Sequence, residues 1–140
     1  MSPIQLAEQY FVLPQVEVTK LEELAAQGFE VIINNRPDNE SEDQPLSNDL
    51  ADKALALGLT YIYNPVDLSK LSQVQLDLQK DALVSKKKAL AFCRTGTRSS
   101  VLWVLNNQAT SSFDELVASV NGKGFDLTRC LPAMEKFKQS

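Results

Sequence analysis

Short apolar runs alternate along the chain with segments in which apolar positions recur every three or four residues. That alternation predicts strands separated by helices. Tyr10-Phe11-Val12-Leu13 is the first strand-like run. Thr19 then stands as an N-cap with Glu22 three residues on, a capping box for a helix through Leu24 to Gln27, which Gly28 ends in a left-handed turn. Phe29-Glu30-Val31-Ile32-Ile33 reads as a buried strand that opens, at its carboxyl end, into the turn-rich loop Asn34-Asn35-Arg36-Pro37-Asp38. Residues 39–45, acidic and containing proline, are expected to be the most flexible segment.

Ser47 or Asn48 is expected to cap a second helix reaching Leu57, with Gly58 as its stop and Leu59-Thr60-Tyr61-Ile62-Tyr63 as the next strand. Asn64-Pro65-Val66-Asp67 then turns outward. Leu71, Val74, Leu78, Ala82 and Leu83 recur at helical spacing, which predicts an amphipathic helix using them as its inner face. After the basic turn Lys86-Lys87-Lys88, read as solvated, Ala89-Leu90-Ala91-Phe92 is too apolar for an edge strand. Val101-Leu102-Trp103-Val104-Leu105 is apolar nearly all round, so Trp103 belongs to a buried helix. Ser112 opens another helix ending near Gly122, and residues 127–137 add a last one that Pro132 breaks. The expected class is α/β: a three-layer, mostly parallel sheet of four or five strands covered by helices on both faces, residues 1–140 forming a single domain.

Composition narrows the chemistry more than the fold. Hydrophobic residues make up 44% of the chain and charged residues 23%, ordinary for a globular protein. No run approaches the roughly 20 apolar residues of a membrane span, and residues 1–8 lack the basic and apolar regions of a secretion signal, so a cytoplasmic protein with no membrane partner is expected. A net charge of −4 argues against nucleic-acid binding. Histidine is absent, which removes the Cys-His and Ser-His-Asp nucleophile pairs and most catalytic zinc sites. No metal or cofactor is called for.

What stands out is Cys93-Arg94-Thr95-Gly96-Thr97-Arg98-Ser99, placed between an apolar strand and an apolar helix. Ligands of open α/β sheets bind outside the carboxyl ends of the strands. Backbone amides turning there into a helix N-terminus converge on an anion site. The same amides, with the flanking guanidinium groups, favour the thiolate of Cys93 and make it the expected nucleophile without histidine. Arg98 is expected to grip a tetrahedral oxyanion with its forked donors, and Ser99 to donate a proton to the sulfur when it leaves. Asp67 and Asp38, on neighbouring turns, are candidates for the acid that protonates a leaving oxygen, and Arg36 for charge at the mouth of the site. Each has a blander reading as a turn or cap residue. Cys130 is a candidate resolving thiol for oxidised Cys93, with a structural role as the alternative.

The run from Phe92 to Ser100 resembles the active-site loop of cysteine-dependent phosphatases and rhodaneses. Together with Val31-Ile32-Ile33-Asn34-Asn35-Arg36-Pro37-Asp38, it is similar to the phosphatase-like domain of bacterial beta-lactamase-hydrolase-like proteins, over about residues 10–107. The resemblance implies a dual-specificity-phosphatase-like fold, a phosphocysteine intermediate, phosphate, sulfate or another small oxyanion as ligand, and a phosphorylated substrate, including phosphotyrosine or phosphoserine in protein. It also implies a persulfide-handling enzyme as a partner. Phosphatases of this kind have five residues between cysteine and arginine and a histidine before the cysteine; here four residues intervene, as in many rhodaneses, and Phe92 replaces the histidine. The expected function is therefore a phosphatase-like hydrolase. Sulfur transfer through a Cys93 persulfide is the alternative, and an anion-sensing module without turnover a third.

Overall fold

The alternation of apolar runs and helical segments resolves, in a computed structural model that describes residues 2–139, into five strands and six α-helices among those residues. The strands are β1 (Ile4–Ala7), β2 (Tyr10–Leu13), β3 (Val31–Asn34), β4 (Thr60–Tyr63) and β5 (Ala89–Phe92). The helices are α1 (Lys20–Ala26), α2 (Ser47–Ala56), α3 (Gln73–Asp81), α4 (Thr97–Asn106), α5 (Phe113–Gly122) and the single turn α6 (Leu131–Met134). The sheet order is β1-β2-β5-β3-β4, with only the β1–β2 pair antiparallel. β1 is the one strand that the hydropathy pattern does not announce: Ile4-Gln5-Leu6-Ala7 is a half-buried edge, and it adds on through the tight turn before Tyr10.

Successive side chains of a strand point to opposite faces, so a buried strand feeds two cores. Ile32, Leu90 and Phe92 pack with Leu21, Leu24, Leu50 and Ala54 of α1 and α2. Val31, Ile33, Ala89 and Ala91 face the other way, toward α4, α5 and the C-terminal segment. Trp103 lies in that second core, and α4 is buried from Ser99 through Leu105.

Several local expectations change. Thr19 precedes α1 in helical conformation, and its side chain makes no capping hydrogen bond. The N-terminus of α2 is capped from a distance: Ser47 donates its backbone N–H to Asp38 Oδ1 at 2.8 Å, so neither Ser47 nor Asn48 is the cap. α3 turns a different face inward. Val74 is 68% exposed and Leu78 39%, while Leu76 and the polar Gln79 are buried. The reason is that Gln79 satisfies a buried polar cluster, which no periodicity of apolar residues records. Residues 39–45 are tethered rather than loose: Gln44 accepts from the backbone N–H of Glu40 at 3.0 Å and donates to the Pro37 carbonyl at 2.8 Å. In the basic turn, Lys88 donates to the Gln27 carbonyl and sits 4.3 Å over the Phe29 ring, leaving Lys86 and Lys87 as the exposed pair. The last segment consists of 3-10 turns on either side of α6, with Pro132 in its first turn, where a missing N–H costs nothing.

Candidate active site at Cys93

β5 is the central strand, and it delivers Cys93 to the carboxyl edge of the sheet between the ends of β2 and β3. Three residues later Gly96, at φ +89°, turns the chain into α4 in the left-handed region that glycine tolerates best. The turn brings the Gly96 N–H onto Cys93 Sγ at 3.1 Å. Cys93 itself is fully buried. Ser100 fastens the turn from the helix side by donating its hydroxyl to the Gly96 carbonyl at 2.8 Å. From the other side, the backbone N–H of Gln15 reaches the Arg94 carbonyl at 3.3 Å. Thr95 and Thr97 share a hydroxyl contact of 2.9 Å at the exposed rim, and Arg94 is exposed beside them.

Arg98, in the first turn of α4, is held by the β3–α2 loop. Its Nη1 donates to Glu40 Oε2 at 2.8 Å and to the Val66 carbonyl at 2.9 Å, and its Nη2 donates to Glu40 Oε1 at 2.8 Å. Burial works against the Arg98 charge, but Glu40 and the neighbouring Cys93 sulfur outweigh it and raise the guanidinium above its ordinary pKa. Glu40 responds in the opposite direction. Its hydrogen bond from Arg98 outweighs desolvation and, with a second from Arg36, holds the carboxyl below the usual range.

Behind the loop lies a buried polar cluster. Ser99 donates its hydroxyl to Asn35 Oδ1 at 2.8 Å, and Asn35 donates to Gln79 Oε1 and to the Asn64 carbonyl. Gln79 donates in turn to Tyr10 Oη, and Tyr10 donates to the Ser99 carbonyl at 2.8 Å. Burial pushes the Tyr10 hydroxyl far above its ordinary pKa, with the Cys93 charge adding to it, so it remains a neutral donor. Asn35 and Tyr10 thus meet on Ser99, and Gln79 links the two behind it.

The chain as a whole has relatives among known proteins. The family model for the phosphatase-like domain of beta-lactamase hydrolase-like protein matches residues 4–111. The chain belongs to that family. A beta-lactamase hydrolase-like protein of Agrobacterium fabrum is 28% identical over 139 residues, 97% of this chain. The match takes in 32% of that protein, so the chain spans about a third of the length of the curated relatives it matches. Among solved structures, a candidate phosphatase of Neisseria meningitidis is 27% identical with a TM-score of 0.82, over 96% of this chain and 97% of that one. TpbA of P. aeruginosa, solved in complex with pTyr, shares the fold at 8% identity and a TM-score of 0.72, over 99% and 83% of the two chains. The five-stranded, mostly parallel sheet with helices on both faces is the dual-specificity-phosphatase-like fold.

Within this phosphatase-like domain, four other residues singled out by sequence take separate positions. Asp67 is exposed beside the loop and accepts from Ser69 Oγ at 2.7 Å and Ser69 N at 3.0 Å. Those bonds, with smaller contributions from Lys70 and Arg98, depress its pKa. Asp38 caps α2, and its backbone N–H meets Tyr63 Oη at 2.9 Å. Arg36 does not stand at the mouth of the site. It is 4% exposed and donates to Glu40, Gln15 and Ser41, because the loop folds back over it. Cys130 is a buried free thiol whose pKa is raised by burial and then by the charge of Cys93. Glu40, Asn35, Asn64, Gln79 and Tyr10 are the site residues that sequence reasoning passes over. Asn35 stood within the run of residues 31–38 that carries the family resemblance, while Tyr10, Glu40 and Asn64 stood in stretches read only as a strand, an acidic segment and a turn.

Proposed function

We propose that this domain is a cysteine-dependent phosphatase-like hydrolase acting on phosphate monoesters. One observation carries the reading: the Gly96 N–H points at Cys93 Sγ from the N-cap position of α4, an arrangement that offers a backbone donor to the sulfur and to an oxyanion bound on it. In the proposed reaction, the Cys93 thiolate attacks phosphorus while loop amides and Arg98 hold the non-bridging oxygens. The P–O bond to the alcohol breaks and its oxygen takes a proton. Water then attacks the phosphocysteine, phosphate departs, and the sulfur leaves as a thiolate stabilised by Ser99. Asp67 is the better placed of the two candidate acids, because its carboxyl feels the Arg98 charge whereas Asp38 serves α2. A phosphotyrosine- or phosphoserine-bearing peptide is the substrate class we favour, in keeping with the pTyr complex of the structural relative.

One feature favours sulfur transfer as a second reading. Four residues between Cys93 and Arg98 make a small ring, already closed by an amide on the sulfur, which suits a persulfide better than a full phosphate. A persulfide-handling enzyme is the partner that chemistry requires. The test is hydrolysis of an aryl phosphate by wild type and Cys93→Ser, with thiosulfate-to-cyanide sulfur transfer on the same samples. Phosphate release that disappears with the thiol supports the first reading; thiocyanate formation that depends on Cys93, without phosphate release, replaces it with the second.

A further inference from the structure

The donors of Arg98 divide into two edges. Nη1 has both N–H groups engaged, on Glu40 Oε2 and the Val66 carbonyl, and Nη2 has one engaged, on Glu40 Oε1. The Nε–H and the second Nη2 N–H are left over from these bonds and together form the side-on edge of the fork, the guanidinium also standing within hydrogen-bond reach of the Cys93 sulfur. Side-on is one of the two ways a guanidinium can hold an oxyanion with parallel hydrogen bonds. Glu40 therefore grips the outer edge of Arg98 without blocking the inner one.

A lone carboxylate in that place would have a cost: it would cancel the positive charge of Arg98 next to the anion site. Arg36 removes that cost. Its Nε donates to Glu40 Oε1 at 2.9 Å, so the two arginines and one carboxylate keep a net charge of one plus. Arg36 has a second route to the loop: its Nη1 donates to Gln15 Oε1 at 3.0 Å, and the Gln15 backbone N–H holds the Arg94 carbonyl. Burying a guanidinium is expensive unless it is paired and hydrogen-bonded, and Arg36 is 4% exposed with all three nitrogens engaged. A loop needing only to be closed could use apolar residues at less cost.

We infer that Arg36 is a positioning residue of the anion loop: buried and out of reach of substrate, it acts through Glu40 to aim Arg98 and keep its charge uncompensated. The inference rests on the anion-site reading proposed above. It predicts coupling between Arg36 and Glu40 that a merely structural arginine would lack.

The test is orthophosphate binding, followed by NMR titration of wild type, Arg36→Met, Glu40→Gln and the double variant, with melting curves to verify folding. Arg36→Met leaves Glu40 free to neutralise Arg98, and its phosphate affinity is expected to fall about tenfold. In the Glu40→Gln background the same substitution is expected to cost less than about threefold, because the carboxylate it compensated is gone. Equal losses in the two backgrounds, or no loss in either, overturn the inference and leave the anion site standing. Wild type that binds no orthophosphate overturns both. Should Arg36→Met not fold, Glu40→Asp replaces it: the charge is kept, but one methylene less prevents a reach to both arginines. A fall in aryl-phosphate kcat of about tenfold at little-changed KM supports the positioning role, and an unchanged kcat overturns it.

Discussion

Ser99 donates its hydroxyl hydrogen to Asn35 Oδ1 at 2.8 Å, so the one proton this residue could offer the Cys93 sulfur is held by the neighbouring loop. Asn35 Oδ1 also accepts from Gln79 Nε2 at 3.1 Å and does not depend on Ser99 alone. Ser99→Ala is therefore expected to lower stability by no more than about 1.5 kcal/mol. Because Gln79 keeps Asn35 Oδ1 supplied, the Ser99 hydroxyl can turn from it to the departing sulfur in the second step, and the effect on the reaction is expected to be larger, with the sulfur departing unaided. Rapid-mixing kinetics with an aryl phosphate should show a burst of phenol and then a steady rate reduced about tenfold or more. Loss of the burst itself would place Ser99 in the first step instead.

Asp67 enters the site already ionised. Its hydrogen bonds from Ser69 hold the pKa below the usual carboxylate value, so serving as the acid requires both that those bonds give way and that the negative charge of a bound phosphate raise the pKa. With a nitrophenyl ester, whose leaving group needs little help, Asp67→Asn is expected to cost less than about tenfold. With an alkyl phosphate the loss should reach about a hundredfold. Equal losses on the two substrates would remove Asp67 from the acid role.

Gly96 has two separate reasons to be glycine. Its φ of +89° is unfavourable for any Cβ, and an added Cβ would lie 2.7 Å from Phe125 Cε1 and 3.0 Å from Val12 Cγ1. Gly96→Ala is expected to destabilise the fold by about 2–4 kcal/mol, read from urea midpoints, and to weaken orthophosphate binding as the amide leaves Cys93 Sγ. Combining it with Phe125→Leu relieves the contact but not the dihedral, so recovery should be partial; complete recovery would show that the clash alone mattered.

Glu40 makes stability depend on pH in a definite direction. Its pKa is depressed in the folded chain, so its contribution is complete above the unfolded value of about 4.3 and is lost as pH falls through the folded value. The difference in urea midpoint between wild type and Glu40→Gln is therefore expected to be largest at neutral pH and to shrink below about pH 4. A difference that stays constant to pH 3 would mean that Glu40 remains ionised through that range or contributes by packing alone.

The class of fold, the strand that carries Cys93, the turn at Gly96 and the buried helix behind it are already legible in the order of residues, because each rests on local physics. A four-residue apolar run, a glycine at a left-handed turn and a helix apolar on every side are legible wherever they fall in a chain. Tertiary structure decided the polar side of the site. Gln79 reads as a surface residue of α3, yet it is buried against Asn35 and Asn64, which come from loops far away in sequence, while Val74 and Leu78 on the same helix face outward. Glu40 reads as one acid in an acidic stretch, yet it meets Arg98 across 58 positions and Arg36 across four. Hydropathy records how strongly a side chain avoids water and is silent about which partner will satisfy it. Hydrogen bonds between distant segments exist only once the sheet has set those segments side by side, and so the partners of Arg98 and Ser99 became visible only in the folded chain.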